Sequence, residues 1–545
     1  MRALHRLLSR FRRDQTANIA VIFALSLLPM LSAIGCAVDY SLASRMKAKL
    51  QSAADGAAVA AISQKSPGFV AASAMSGNGS VTAGVTDANK VFDGNMNQVT
   101  SGINNLSRTS TVTKTGIQLT SLVTFSADVP TTFMKAVGFQ KLTVTGSSSA
   151  SASLPPYLDF YLTLDVSGSM GLPSTTSEAA RLQALNPDNW VQYRTGCTLA
   201  CHFKPQNSAC TDPPVTSPTN PASNPSTSAS YTQQYNTNGY CMGYSYTRVS
   251  QSALTTLINR ATSGTYPKQV PGLPKQMLSG LPASLNTDPN FGLAAVANCP
   301  TAGTDSCIQL RLDAVGSAVN QLFVTANSSM KVTNQFRIGL YPFIQYLYST
   351  YFPLTSSING SSTNSSTINY AAANLASLLD TNMDSNLGSG GTHIDTALTS
   401  VNTLITTVGD GSTSTYTQPY VFLVTDGAQD PQIKGTPNGS WSGSNHATTI
   451  DLQNTLTTVP SCTTLKNRGI IVSVLYIPYQ PISPVNTSFA GDEDDYANWN
   501  IPYIPASLQK CASPGFFYTA NTPADITAAL NAMFTHALTT AHITN

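Results

Sequence analysis

Five small oxygen-bearing residues, spread over three stretches, are the part of this chain whose types and spacing could do chemistry. Asp165-x-Ser167-x-Ser169 follows the short apolar run Tyr157–Leu164. Gly390-Gly391-Thr392 sets a hydroxyl behind a flexible glycine pair and ahead of the helix-forming stretch Asp395–Ile405. Asp426 closes a second apolar run, Val421–Thr425. Alternation in a tight turn can aim Asp165, Ser167 and Ser169 at one point. Carboxylate and hydroxyl oxygens suit a hard divalent cation, Mg2+ first, or Mn2+ or Ca2+. Asp-x-Ser-x-Ser alone is also an ordinary solvated turn, so the weight rests on the hydroxyl and carboxylate that the two later segments add.

The elements around these residues alternate. Apolar runs at Tyr157–Leu164, Arg337–Phe343, Tyr420–Thr425 and Ile470–Ile477 read as buried strands, with a short last strand at Gly515–Tyr518. Arg311–Phe323, Tyr370–Leu379, Asp395–Ile405 and Pro523–Ala537 have helical spacing. Strands alternating with helices predict an α/β fold, a doubly wound, mostly parallel sheet covered on both faces, with ligands at the carboxyl ends of the strands. Asp165 and Asp426 both fall at such ends.

In this order the three segments resemble the von Willebrand factor A domain and its metal-ion-dependent adhesion site, with all five positions filled. The resemblance implies that Ser167, Ser169 and Thr392 ligate the metal directly and that Asp165 and Asp426 act mainly through bound water. It also implies a coordination position left open for a carboxylate from a protein partner. The domain is expected over 154–540, interrupted at about 171–307 by an insertion whose middle, Pro213–Gly239, is too rich in Ser, Thr, Asn and Pro to build much interior.

The chain has 545 residues, room for several domains. Charged residues make up only 10%, against roughly 25% in typical soluble domains. Net charge is +2, which argues against a nucleic-acid partner. Of nine Cys, Cys36 lies in an apolar segment. The other eight, Cys197, Cys201, Cys210, Cys241, Cys299, Cys307, Cys462 and Cys511, form an even set that points to disulfides in an oxidising compartment. Six of them fall in the insertion or at its edge, where staples would offset a poor core. Cys462 and Cys511 flank the strand at Ile470 and are expected to pair with each other. A zinc site at Cys197, Cys201, His202 and Cys210 is the competing reading.

At the front, Arg2, Arg6, Arg10, Arg12 and Arg13 precede Ile19–Val38, about twenty residues without a charge, long enough to cross a bilayer once. The basic cluster favours a cytoplasmic N-terminus, a bacterial inner-membrane anchor and a periplasmic or surface-exposed remainder. A cleaved signal peptide is the rival, but the run is long for one and lacks a clear small-x-small site. Leu42, Met46, Leu50, Ala54, Ala58 and Ile62 extend helical spacing beyond the span as a stem that Pro67-Gly68 should end, giving a first segment over 1–65. The order of elements over Asp14–Ile62 resembles the N-terminal segment of tight-adherence (Tad, or Flp-pilus) assembly proteins of the TadG kind. Pilin-like relatives need a Glu near the start of the apolar run; none lies in Ile19–Val38, so a stationary anchor is the better expectation than a filament subunit. Residues 66–153 are expected to form a small β-rich module with a short helix at Thr131–Val137, Ser147–Ser153 serving as a linker.

The functional expectation is a binding protein, not an enzyme, with pilus or secretion machinery as partner; an independent surface adhesin is the alternative. Asp492–Asp495 reads as a solvated acidic run. His393 is a rim residue, since no nucleophile motif or His-Glu-x-x-His helix accompanies it.

Overall fold

The computed structural model describes residues 16–97, 102–185, 203–205, 246–248, 298–304, 309–380, 384–434, 441–444, 446–479, 481 and 493–541. The chain divides into two units, Met1–Pro155 and Pro156–Thr544.

The first unit is built on one long helix, α1 (Thr16–Ala60). Its first half is apolar and exposed at Ile22, Phe23, Leu25, Met30, Leu31, Ile34 and Val38. Among the described residues it is the one helix long and apolar enough to cross a bilayer, with a mean hydropathy of 1.9 in its apolar part. Its second half turns inward: Leu50, Ala53, Ala54, Ala57 and Ala58 are buried. They pack with α2 (Pro67–Ala74) and α3 (Thr82–Met96) on an antiparallel sheet of β1 (Gly79–Ser80), β2 (Asn104–Thr115), β3 (Gln118–Pro130) and β4 (Lys141–Ser153), ordered 1-2-3-4. The stem is thus part of the module's core. Alanine suits that position because its small side chain lets helix and sheet approach closely.

Three expectations change here. Pro67 does not end the first helix, which stops at Ala60, but opens the next: Ser66 caps α2, its hydroxyl accepting the Phe69 amide at 3.0 Å. Ser147–Ser153 is no linker but the second half of β4, paired with β3 from Ser147 opposite Thr124 to Ser153 opposite Gln118. The close approach is at the neighbouring Gly146, where a Cβ would come within 2.5 Å of Phe125 of β3 and 2.6 Å of the Gln51 side chain of α1. The short helix expected at Thr131–Val137 is a 3-10 turn, Met134–Val137.

The second unit holds a six-stranded sheet made of β5 (Leu158–Asp165), β6 (Phe336–Phe343), β7 (Phe352–Thr355), β8 (Gln418–Thr425), β9 (Ile471–Tyr476) and β10 (Phe517–Thr519). The order is β10-β9-β8-β5-β6-β7, parallel throughout except for the edge strand β7, which runs against β6. Counted in chain order this is 3-2-1-4-5-6. All eight residues of β5 are buried, as a strand covered on both faces requires. On one face Phe160, Phe336, Phe422 and Phe534 join a core supplied by α4 (Arg311–Ser329), α5 (Ile368–Ala373) and, last in the chain, α9 (Pro523–Thr540). On the other, Tyr161, Val421, Leu423 and Val474 meet α6 (Ile394–Leu404), α7 (Pro460–Asn467) and α8 (Ile504–Cys511). Each of these aromatic or branched side chains contributes about 1.5–3 kcal/mol on burial. A bond between Cys462 and Cys511 joins α7 to α8, their Cα atoms 5.1 Å apart, which is the pairing expected from sequence.

The insertion leaves and returns at one place. Pro173 bridges Leu310, the Leu172 carbonyl accepts the Arg311 amide at 2.9 Å, and the buried Glu178 accepts the amides of Gly303 and Gln309 at 2.9 and 2.7 Å. Cys299, at its end, is disulfide-bonded. Cys197, Cys201, His202, Cys210, Cys241 and Cys307, with the zinc reading that rests on four of them, lie outside the described residues, as does Asp492.

Candidate metal centre

β5 and β8 are adjacent and parallel, Leu164 lying opposite Val424. Asp165, the next residue and the last of β5, and Asp426, which follows Thr425 at the end of β8, both stand at the carboxyl edge. The turn after β5 folds back on its own acid: the Ser167 amide and hydroxyl both donate to Asp165 Oδ1, at 3.0 and 2.6 Å. Thr425, the last residue of β8, donates its hydroxyl to Asp165 Oδ2 at 2.6 Å, tying the two strand ends together. The Ser167 and Ser169 hydroxyl oxygens are 3.4 Å apart. Asp426 Oδ2 lies 3.5 Å from an Arg311 guanidinium nitrogen, both side chains almost wholly buried at 0% and 5% exposed. Asp426 Oδ1 is buried without a hydrogen-bond partner.

The charge balance follows. Two fully buried carboxylates face one guanidinium, so the site is short of positive charge. Burial pushes the Asp165 carboxyl above its ordinary value, against the hydrogen bonds from Ser167 and Thr425. Asp426 is pushed up to about 7, by burial first and then by the Asp165 charge, with Arg311, the Ser169 hydroxyl and the Ala428 amide pulling the other way. A divalent cation would remove that deficit and give Asp426 Oδ1 a partner, directly or through water. The donor set, carboxylates and hydroxyls without sulfur or imidazole, fits a hard cation. Among the described residues no group of three or more His, Cys, Asp and Glu gathers to hold a metal; the candidate is a two-carboxylate, multi-hydroxyl site.

Thr392 arrives by a separate route. Its loop turns on Gly390 and Gly391, both with positive φ (+86° and +66°), and a Cβ at Gly391 would sit 2.2 Å from the Asp430 carbonyl oxygen. Thr392 and Asp430 exchange backbone hydrogen bonds at 2.9 and 3.0 Å, and the His393 amide donates to Ile344 O at 2.9 Å. Asp380, which sequence reasoning missed, joins this loop to the first. Its amide donates to Val166 O at 3.1 Å, while its carboxylate accepts the Ser389 hydroxyl and the Gly390 amide, each at 2.8 Å. Asp165, Ser167, Ser169 and Asp426 thus share one buried cluster, and the Thr392 loop is moored beside it at Val166. Arg311 was also missed; its signal was an Arg at the start of an otherwise apolar helix. Asp430, pushed up to about 6 by burial, is a third acid at the edge of the Thr392 loop. His393 is half-buried, its Nε2 3.2 Å from Gln432 O, and burial lowers its pKa.

The arrangement defines a class of site: carboxylates and hydroxyls collected at the carboxyl edge of a largely parallel sheet, on a chain that also carries one long apolar helix. Residues 17–74, covering most of α1 and all of α2, match the family of putative Flp pilus-assembly TadE/G-like proteins, about a tenth of the chain. No curated protein matches the chain. Solved structures overlap it loosely. Proximal thread matrix protein 1 from the mussel byssus is 17% identical with a TM-score of 0.25, over 42% of this chain and 43% of that one. A form of the same protein with a zinc-occupied MIDAS motif gives 18% and 0.24 over the same shares. A mutant of the PilB minor pilin from Streptococcus sanguinis gives 10% and 0.28 over 81% of this chain and 80% of that one. The vWF domain of the type V pili tip protein Mfa5 from Porphyromonas gingivalis gives 14% and 0.25 over 42% and 89%. The chain spans under half the length of the mussel protein, and at these scores none of the overlaps transfers a property.

Proposed function

We propose that this is a membrane-anchored, exported binding protein of a Tad-type pilus system. In this reading its second unit is a doubly wound von Willebrand A-like domain that captures a carboxylate-bearing protein partner through a divalent cation held by Asp165, Ser167, Ser169, Thr392 and Asp426. The observation that carries it is the buried pair Asp165 and Asp426 at neighbouring strand ends, short of positive charge and with Asp426 Oδ1 unpaired. The 3-2-1-4-5-6 strand order supports the doubly wound assignment. When bound, the cation would supply an electrophilic position for the partner's carboxylate. The chain's own part is to orient hydroxyls: Asp165 holds the Ser167 hydroxyl, and the Asp380 link holds the Thr392 loop in place.

The match over residues 17–74 supports the pilus role, and the exposed apolar half of α1 supports an inner-membrane anchor with the bulk of the chain outside the cytoplasm. The Cys462–Cys511 bond agrees with an oxidising compartment. Binding rather than catalysis is the better reading because the imidazole of His393, beside the site, is directed to the Gln432 carbonyl. The test is capture of pilus and secretion proteins from a detergent extract with Mg2+ or with EDTA. Metal-dependent capture by the parent and none by Asp165→Ala supports the reading; equal capture by both overturns it.

A further inference from the structure

A ten-residue connection at one end of the first unit carries three large apolar side chains that the described residues leave about half exposed. Between β3 and β4 the chain makes a 3-10 turn and leaves Phe133, Val137 and Phe139 exposed at 51%, 49% and 58%. Phe133 lies directly against α1: a Cβ on Gly35 would be 2.4 Å from Phe133 Cβ, so only glycine admits it. The same turn takes over the first charged group after the apolar stretch of α1. Asp39 is 3% exposed, and its carboxylate accepts the amides of Thr132, Phe133 and Met134 at 3.0, 2.8 and 2.7 Å. The turn and the end of the apolar stretch are therefore fixed to each other.

We infer that the connection Thr131–Gln140 dips into the outer face of the bilayer beside α1, as a second membrane contact; this rests on reading α1 as a retained anchor. The level is set by the helix. Gly35 lies four residues before Asp39, about 6 Å at 1.5 Å per residue on the bilayer side of that carboxylate. Interfacial apolar segments sit about 5–10 Å into the boundary between headgroups and acyl chains, which is where Phe133 falls. The apolar surface of the loop is continuous with that of α1 from Ile22 to Val38, so one lipid surface covers both. Lys135, in the loop, can reach back to lipid phosphates while its stem stays apolar, whereas Lys141 next to it is paired with Asp128 at 2.6 Å. Meanwhile β3 runs from this end to the β2–β3 turn at Thr115–Gln118, about 40 Å away at 3.4 Å per residue. The module would stand upright, with Ser153, the last residue of β4, opposite Gln118 at the far end.

The test uses the full chain in lipid nanodiscs, with Trp190, Trp441 and Trp499 replaced by Phe and one reporter restored at a time: Phe139→Trp, Val137→Trp, Ile34→Trp or Thr115→Trp. With lipids brominated near the headgroup end of the acyl chains, the reporters at positions 137 and 139 should be quenched about as strongly as that at 34, and that at 115 not at all. Reporters at 137 and 139 that behave like the one at 115, while the one at 34 is quenched, overturn the loop proposal and leave the anchor standing. Absence of quenching at 34 overturns the anchor and the loop together.

Discussion

Arg311→Met is the substitution that most directly probes the charge balance of the site. The guanidinium stands 3.5 Å from Asp426 Oδ2 in a pocket where the two side chains are 5% and 0% exposed. At an effective dielectric of about 20 the Coulomb attraction at that distance is about 5 kcal/mol. Removing one member of a buried pair typically costs 3–5 kcal/mol, because the other is left uncompensated. Methionine keeps the straight apolar stem, and the Arg311 amide keeps its bond to Leu172 O, so the loss is chiefly one of charge. In EDTA the variant should be less stable by about 3 kcal/mol or more. Because a cation can replace the missing charge, Mg2+ should restore more stability to the variant than it adds to the parent. All three Trp lie in the second unit, so urea denaturation followed by Trp emission reads that unit alone. A variant as stable as the parent in EDTA, or gaining no more than the parent from Mg2+, would refute the view that the carboxylates lack positive charge.

The same carboxylates set a pH dependence. Asp426 rises from 3.8 to about 7 in the folded protein and Asp165 moves in the same direction. The folded state therefore holds protons the unfolded chain gives up, and without metal this contribution is present below about pH 4 and lost as pH rises through about 7; excess Mg2+ should reverse the trend, and denaturation midpoints across that range check both. Replacing Cys462 and Cys511 together by Ala should cost about 4 kcal/mol, from the entropy of a chain closed over 49 residues, read by the same denaturation series under oxidising conditions. Gly391→Ala forces a Cβ to within 2.2 Å of Asp430 O at φ +66°, so the Thr392 loop should shift and Mg2+ should no longer raise the melting temperature, while far-ultraviolet circular dichroism keeps the sheet signature.

What was legible in the sequence was what is local or covered on both sides. β5, β6, β8 and β9 are buried between two layers and read as mostly apolar runs, and Asp165, Ser167 and Ser169 sit in one turn where spacing alone suggests convergence. β7 escaped notice because it is a four-residue edge strand containing Pro353, with only one neighbour to pair with. Ser147–Ser153 misled for the opposite reason: its side chains carry no strand preference, and its conformation comes from the β3 ladder and from the closeness of α1. Arg311 and Asp380 were invisible as site residues because their roles depend on partners far along the chain: Asp426 for the one, and Val166 for the other. Thr392 was found through the flexible glycine pair before it, the helix after it and the family resemblance; in the structure both glycines have positive φ.

Calorimetric titration of the purified full-length protein with Mn2+, set against the double variant Ser167→Ala, Ser169→Ala, tests the central claim most directly. The two hydroxyls belong to the turn after β5, and alanine removes oxygens without altering the carboxylates or Arg311. One Mn2+ bound per chain in the parent and none in the variant is the predicted result; a parent that takes up no Mn2+, or a variant that binds it as tightly, would contradict the account.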